Sequence, residues 1–197
     1  MAAAKVASIV TTPQVTSKPA YEVIIGDALV SDAAAIAQIG ANTFTATFGF
    51  SVPENDLADF LATTYSAKAI EAELLSAQES NISTFVARDE AGAVLGFVQL
   101  VGGLTEPCLQ GDASTHAELR RLYVDVSAHG RGVGSKLIAA VENRAKAEGF
   151  RTLWLTVWED NIKAQRLYQR LGYAKMGEMD FATGECIQMD WVLAKSI

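Results

Sequence analysis

Apolar and polar positions alternate in YEVIIGDA (residues 21–28), the first patterned stretch of the chain, and that period of two predicts a strand. The period then lengthens. SDAAAIAQIGANTFTATF (31–48) carries apolar residues at helical spacing, with Ser31 or Asp32 placed to cap it. Pro53 opens a second helical stretch, PENDLADFLATTY, whose Glu54, Asp56 and Asp59 lie toward its positive end; AKAIEAELLSAQ is a third. After residue 82 the pattern shortens again. STFVARD and AVLGFVQLVGG read as two strands joined by the hairpin signal EAG. HAELRRLYVDV follows as a strand. Strict alternation puts Leu119, Arg121 and Tyr123 on one face and Glu118, Arg120, Leu122 and Val124 on the other.

The remainder repeats strand and helix. Leu137, Val141 and Ala145, flanked by Ile138, form the apolar stripe of a helix that ends near Gly149. TLWLTVW is a strand. Asn161 then caps a helix in which Ala164, Leu167, Tyr168 and Leu171 recur at i, i+3, i+4 and i+7, with Gly172 after its end. YAKMGEMDF and CIQMDWVLA are two closing strands. Helices first, then a sheet with two helices packed on it, predicts an α+β fold.

Residues 1–20, rich in Ala, Ser and Thr, break this patterning and are expected to form a flexible tail ahead of one domain over 21–197. Their apolar stretch is short and interrupted by Lys5 and Ser8, a poor secretory signal, and they contain no arginine for a mitochondrial one. No apolar run is long enough to span a membrane. Cys108 and Cys186 have no metal-ligand spacing and read as buried reduced thiols, so a cytoplasmic protein without a metal is expected. The formal net charge of −7 opposes nucleic-acid binding and is compatible with a cationic small molecule.

AHGRGVGSKL (128–137) is the segment with the clearest chemistry. Its glycines at 130, 132 and 134, two apart, fit neither the P-loop, which needs Gly-Lys-Ser/Thr in that order, nor the G-x-G-x-x-G dinucleotide loop. What remains is a strand, a short glycine loop and a helix start, an arrangement that suits a pyrophosphate held by backbone amides, with Arg131 and Lys136 adding charge. A glycine-rich turn without a ligand is the alternative reading of the loop alone.

Two motifs together decide between them. LYVDVSAHGRGVGSKLIAAVENRAKAEG resembles the acetyl-CoA loop of the GNAT superfamily of N-acetyltransferases, whose signature is Arg/Gln-x-x-Gly-x-Gly/Ala. Gly132 and Gly134 match, and His129 stands where the family has Arg or Gln. Downstream, Asn161, Ala164, Tyr168, Gly172 and Tyr173 match the pattern Asn-x-x-Ala-x-x-Leu/Phe-Tyr-x-x-x-Gly-Phe/Tyr. More narrowly, ELRRLYV, LWLTVWEDN and the spacing of Gly177, Phe181, Gly184, Gln188 and Asp190 are similar to bacterial spermidine/spermine N-acetyltransferases.

The resemblance implies a mixed, mostly antiparallel central sheet with helices on both faces. It also implies acetyl transfer from acetyl-CoA to a primary amine, by direct attack in a ternary complex. An alkylammonium at neutral pH is almost entirely protonated, a shortfall of ~4 kcal/mol in free amine, so a base is needed. Glu118 is the candidate, directly or through water; it is equally placed for an ion pair with Arg120 or Arg121. Tyr168 is the candidate acid for the departing thiolate, its other reading being a core tyrosine. The resemblance assigns the main chain of Leu122, Tyr123 and Val124 to the thioester and pantetheine arm. It assigns residues His129, Gly130, Arg131, Gly132, Val133, Gly134 and Ser135 to the pyrophosphate. Asn161 caps its helix first and contacts the cofactor second. The expected acceptor is a polyamine such as spermidine, drawn in by Glu54, Asp56, Asp59, Glu71 and Glu73, residues that read otherwise as a solvated face. Another amine (an amino sugar, a peptide or protein N-terminus, a lysine), a non-catalytic acyl-CoA sensor and a homodimeric assembly are the open alternatives.

Overall fold

A computed structural model describes residues 22–197; the tail expected over residues 1–20 lies outside them. The elements run β1 (Ile24–Asp27), α1 (Ala33–Phe48), α2 (Glu54–Thr64), α3 (Ala67–Leu75), β2 (Ile82–Arg88), β3 (Val94–Gly102), β4 (His116–Val124), α4 (Val133–Ala147), β5 (Thr152–Trp158), α5 (Ile162–Arg170), β6 (Ala174–Thr183) and β7 (Cys186–Ser196). The seven strands form one sheet in the order β1-β2-β3-β4-β5-β7-β6. Every neighbouring pair is antiparallel except β4 and β5. The α+β architecture predicted from the sequence is the one observed.

Local signals end the helices where the pattern places them. Gly149 at φ +86° and Gly172 at φ +90° take the left-handed conformation that glycine adopts without a Cβ penalty. The turns then close through Phe150 N–H to the Ala145 carbonyl and Tyr173 N–H to the Tyr168 carbonyl, each 3.0 Å. The Asn161 side chain accepts from Ala164 N–H at 3.2 Å, starting α5. Asp32 departs from its expected role. Its carboxylate accepts from Leu29 N–H and pairs with Arg88 of β2, so it closes the short 3-10 turn before α1 and ties that turn to the sheet. Cys108 and Cys186 are free but only partly buried.

Two apolar layers cover the sheet. Leu137, Ile138, Val141 and Ala145 of α4 and Tyr168 of α5 pack with Leu119, Leu153, Leu155 and Leu193 on one face. Ile36 and Phe44 of α1, Tyr65, and Ile70 of α3 pack with Val86 and Phe97 on the other.

Between these layers β4 breaks the alternation predicted for it. Gln99 of β3 faces Arg120 and Phe97 faces Tyr123, so two steps along β3 oppose three along β4. The extra residue is accommodated at Arg121, whose φ is +54°. The face assignment therefore flips. Leu119, Leu122 and Val124 pack with α4, whereas Tyr123 packs with the α1 layer and Arg121 reaches Glu73 of α3. Arg121 Nη1 lies 2.9 Å from Glu73 Oε2, the Gln99 amide donates to the same carboxylate, and the guanidinium stands over the Tyr65 ring. An unusual backbone conformation persists only where its surroundings hold it. Glu73→Ala should thus cost about 2–3 kcal/mol in a urea titration, because it leaves a mostly buried guanidinium unpaired and the buried Gln99 amide with only the Thr84 hydroxyl, and Glu73→Gln should cost less.

Candidate active site

β4 and β5 are hydrogen-bonded only over His116–Glu118 and Thr152–Trp154. Beyond that point β5 stays paired with β7, while β4 turns away with its bulge. The strands part, and the backbone of residues 119–124 on that side has no strand partner. A cavity of about 590 Å³ occupies the opening. It is bounded by residues of both faces: Thr47 and Phe48 of α1, Phe60 of α2, Glu118 to Tyr123 of β4, Thr156 and Trp158 of β5, Tyr168 of α5 and Asp190 of β7.

Aromatic rings form much of the wall. Phe44 and Phe60 stack at 4.3 Å between centroids, and Phe48 lies 5.7 Å from Trp158. The charged groups among them are unevenly matched. Glu118, 7 % exposed, accepts from Arg120 Nε at 3.1 Å and from Nη2 at 2.5 Å. Arg121 is held by Glu73. Among the described residues Glu106 and Asp190 have no ion-pair partner. None of the five acids expected to draw in a polyamine is on the wall: Glu54, Asp56, Asp59, Glu71 and Glu73 lie elsewhere, with Asp56 accepting from Glu185 N–H. Glu73, the fifth, is spent on Arg121.

Asp190 is 8 % exposed and bonded to the Thr156 hydroxyl, and desolvation pushes its pKa up to about 6 despite that bond. The tail pattern includes Asp190 without a role. The period-two alternation of CIQMDWVLA did carry a signal, since it puts this carboxylate on the same strand face as Val192 and Ala194, both buried. Thr47, Phe48, Phe60 and Trp158 had no such signal, because they meet only through the packing of α1 and α2 on the sheet.

Tyr168 lies on the α5 side of the opening. Its hydroxyl has no hydrogen-bond partner among the described residues, and burial, with Tyr123 adding to it, raises its pKa above that of an ordinary phenol. The group is therefore a protonated donor throughout the neutral range. Its ring stands edge-on to Tyr173 at 5.7 Å, so it also packs in the core. Tyr123 receives a hydrogen bond from the Tyr65 hydroxyl at 3.2 Å, and burial raises both phenols.

The glycine loop begins where β4 ends. Gly130 and Gly132 have φ of +75° and +76°, and a Cβ at either would have no heavy atom within 4 Å. The loop is thus open on its outer side, and Gly132 caps α4. The first internal bond of α4 runs from Lys136 N–H to the Gly132 carbonyl, which leaves the amides of Val133, Gly134 and Ser135 directed out of the helix end. The Val133 side chain itself is buried in the core. His129 folds back to the Val124 carbonyl at 3.0 Å. Lys136 reaches the Val23 carbonyl at 3.4 Å, away from the loop, and so does not add its charge there as expected. Leu122, Tyr123 and Asn161 border the cavity, while Val124 and residues 129–135 continue from it along the same edge. An unpaired strand edge running into three amides that have no partner within the helix has the polarity to fit an extended acyl-pantetheine arm ending in a pyrophosphate. No group of His, Cys, Asp and Glu suited to a metal occurs among the described residues, nor a helix long and apolar enough to cross a membrane.

Comparison with known proteins gives the family and the fold. A sequence model of the Acetyltransferase (GNAT) family matches residues 47–173. An uncharacterized N-acetyltransferase from the pepI 3' region of Lactobacillus delbrueckii subsp. lactis is 28 % identical over 159 residues, covering 81 % of this chain and 88 % of that one. The spermine/spermidine N(1)-acetyltransferase of Bacillus subtilis is 32 % identical over 91 residues, 46 % of this chain and 59 % of that protein's length. The crystal structure of the PaiA N-acetyltransferase from Thermoplasma acidophilum in complex with coenzyme A shares the fold, with a TM-score of 0.67 at 18 % identity over 89 % of this chain and 99 % of that one.

Proposed function

The chain belongs to the Acetyltransferase (GNAT) family, and from that premise we infer that its acceptor is a primary amine carried on a cationic, partly aliphatic molecule, a polyamine such as spermidine. The enzyme is an acetyl-CoA-dependent N-acetyltransferase. The observation that carries the finer reading is the cavity's imbalance of charge: both arginines on its wall are matched by carboxylates, and Glu106 and Asp190 are not. A methylene chain would pack against Phe48, Phe60 and Trp158 while its ammonium groups meet the two carboxylates. The partial likeness to a spermine/spermidine acetyltransferase agrees with this.

In this reading one domain over residues 22–197 holds both substrates at once. The amides of residues 130–135 and the free edge of Leu122, Tyr123 and Val124 orient acetyl-CoA. When bound, it supplies the acetyl thioester. A backbone N–H of the same edge faces the thioester oxygen as it gains charge. Tyr168 gives its proton to the departing sulfur, and a buried carboxylate of the cavity, Glu118 or Asp190, receives the proton of the acceptor. Asn161 caps α5 and so fixes Tyr168.

The charge imbalance has a measurable consequence. KM for spermidine should rise several-fold between about 0.1 M and 1 M salt, as the Debye length falls from ~10 Å to ~3 Å. Glu106→Gln should raise it several-fold at low salt, while Asp59→Asn should leave it unchanged, because Asp59 is not on the cavity wall. Initial-rate measurements with spermidine, spermine and a neutral amino sugar test this; preference for the neutral amine excludes the polyamine.

A further inference from the structure

We propose that Asp190, rather than Glu118, is the carboxylate that takes the proton from the acceptor's ammonium group. The inference rests on the reading of the acceptor as a cationic amine, and it begins from the different surroundings of two equally buried acids. Glu118 is held by two hydrogen bonds from Arg120. Taking a proton there would forfeit its charge-assisted hydrogen bonds with Arg120. Asp190 has one neutral partner, the Thr156 hydroxyl, and no cation. The other titratable groups on the wall are Glu106, the paired Arg120 and Arg121, and the phenols of Tyr65, Tyr123 and Tyr168. None of them neutralises Asp190. Its charge is near enough to raise the pKa of Tyr123, and Tyr123 in turn affects Tyr168. On β7 Asp190 shares a face with Val192, whereas Leu193, on the opposite face, packs with Tyr168, so the two groups lie on opposite sides of the sheet. A base and an acid separated in this way suit an attack that runs through the gap between β4 and β5.

The protons balance. The ammonium N–H bond breaks and its proton passes to Asp190. The freed electron pair forms the C–N bond as the C–S bond breaks, and the sulfur takes the Tyr168 proton. The nitrogen's second proton, lost as the amide forms, restores the phenol, and Asp190 releases its own to water, one proton per turnover. A carboxyl pushed up to about 6 is better matched to this task near neutral pH than one in the ordinary range.

The test is the pH dependence of kcat/KM from pH 5 to 9, with spermidine and n-butylamine as probes. Asp190→Asn should lower kcat/KM by at least about a hundredfold with both amines and abolish the acid limb, with acetyl-CoA affinity unchanged. Glu118→Gln should stay within about tenfold and keep that limb. Thr156→Val, which removes the hydrogen bond that favours the charged form, should move the acid limb to higher pH. A readout independent of turnover is available from melting. The folded state favours protonated Asp190, so its burial opposes folding increasingly as pH rises from the ordinary carboxylate range through about 6. Asp190→Asn should then melt above wild type at pH 8 and no higher than it at pH 4. Near-wild-type rates for Asp190→Asn at every pH, or loss of the acid limb in Glu118→Gln alone, overturn the assignment. Equal efficiency with spermidine and n-butylamine overturns the polyamine reading instead and leaves the comparison of Asp190 with Glu118 decided by the same data.

Discussion

Gly134→Asp should weaken acetyl-CoA binding by at least about a hundredfold in a calorimetric titration while leaving the melting temperature unchanged or slightly raised. The two halves of this result have one cause. Gly134 is in the first turn of α4 in ordinary helical conformation, and a Cβ there would meet only Val124 Cγ2, at 3.8 Å, a normal contact. An aspartate fits without strain, and near a helix N-terminus its charge is favourable by about 0.3–1 kcal/mol. The same charge occupies the place where Val133, Gly134 and Ser135 amides would receive a pyrophosphate. What stabilises the free helix therefore repels the ligand. Gly134→Asn, of equal size and no charge, should lose much less affinity and separates charge from bulk. Gly132→Asp makes a poorer test, since its φ of +76° adds backbone strain to the charge effect. Undiminished affinity in Gly134→Asp would remove the loop from the cofactor site.

Tyr168→Phe should lower kcat by about ten- to a thousandfold with acetyl-CoA affinity nearly unchanged. The substitution is clean because the hydroxyl has no hydrogen-bond partner among the described residues, and the ring's contact with Tyr173 survives in phenylalanine. Stability should change by less than about 1 kcal/mol. Because burial raises the phenol's pKa, the wild-type rate should show no loss from Tyr168 ionising at or below pH 9. Both features distinguish a proton donor from a packing residue. If turnover stays within about twofold, Tyr168 belongs to the core alone and the sulfur takes its proton from water.

Much of the scaffold could be read from the chain because its signals are local. The caps at Asn161, Gly149 and Gly172 act on amides and carbonyls within a few residues, so the composition of each segment contains its own boundary. The glycine loop is similar: left-handed φ at Gly130 and Gly132 and a helix beginning behind them are properties of ten consecutive residues. Family membership follows from the same motifs and from the match over residues 47–173.

The acceptor side of the site depends on residues far apart in sequence. Alternation failed at Arg121, where a bulge held by Glu73, 48 positions away, moved Arg121 and Tyr123 to the opposite face from Leu119. The gap between β4 and β5 exists because β5 leaves β4 after three pairs and follows β7, a competition between strands that no segment encodes alone. The acids of α2 looked like the natural attractors of a cation, yet they are off the cavity wall, and the unpaired carboxylates come from the loop at Glu106 and from β7 at Asp190. Backbone conformation is set within a turn or two of chain, whereas the protonation of a carboxyl depends on what surrounds it in space. Sequence alone therefore determined the open glycine loop ahead of α4 and which helix carries the tyrosine. Tertiary structure decided which carboxylates stand without a cation, because pairing and desolvation arise only when distant segments meet.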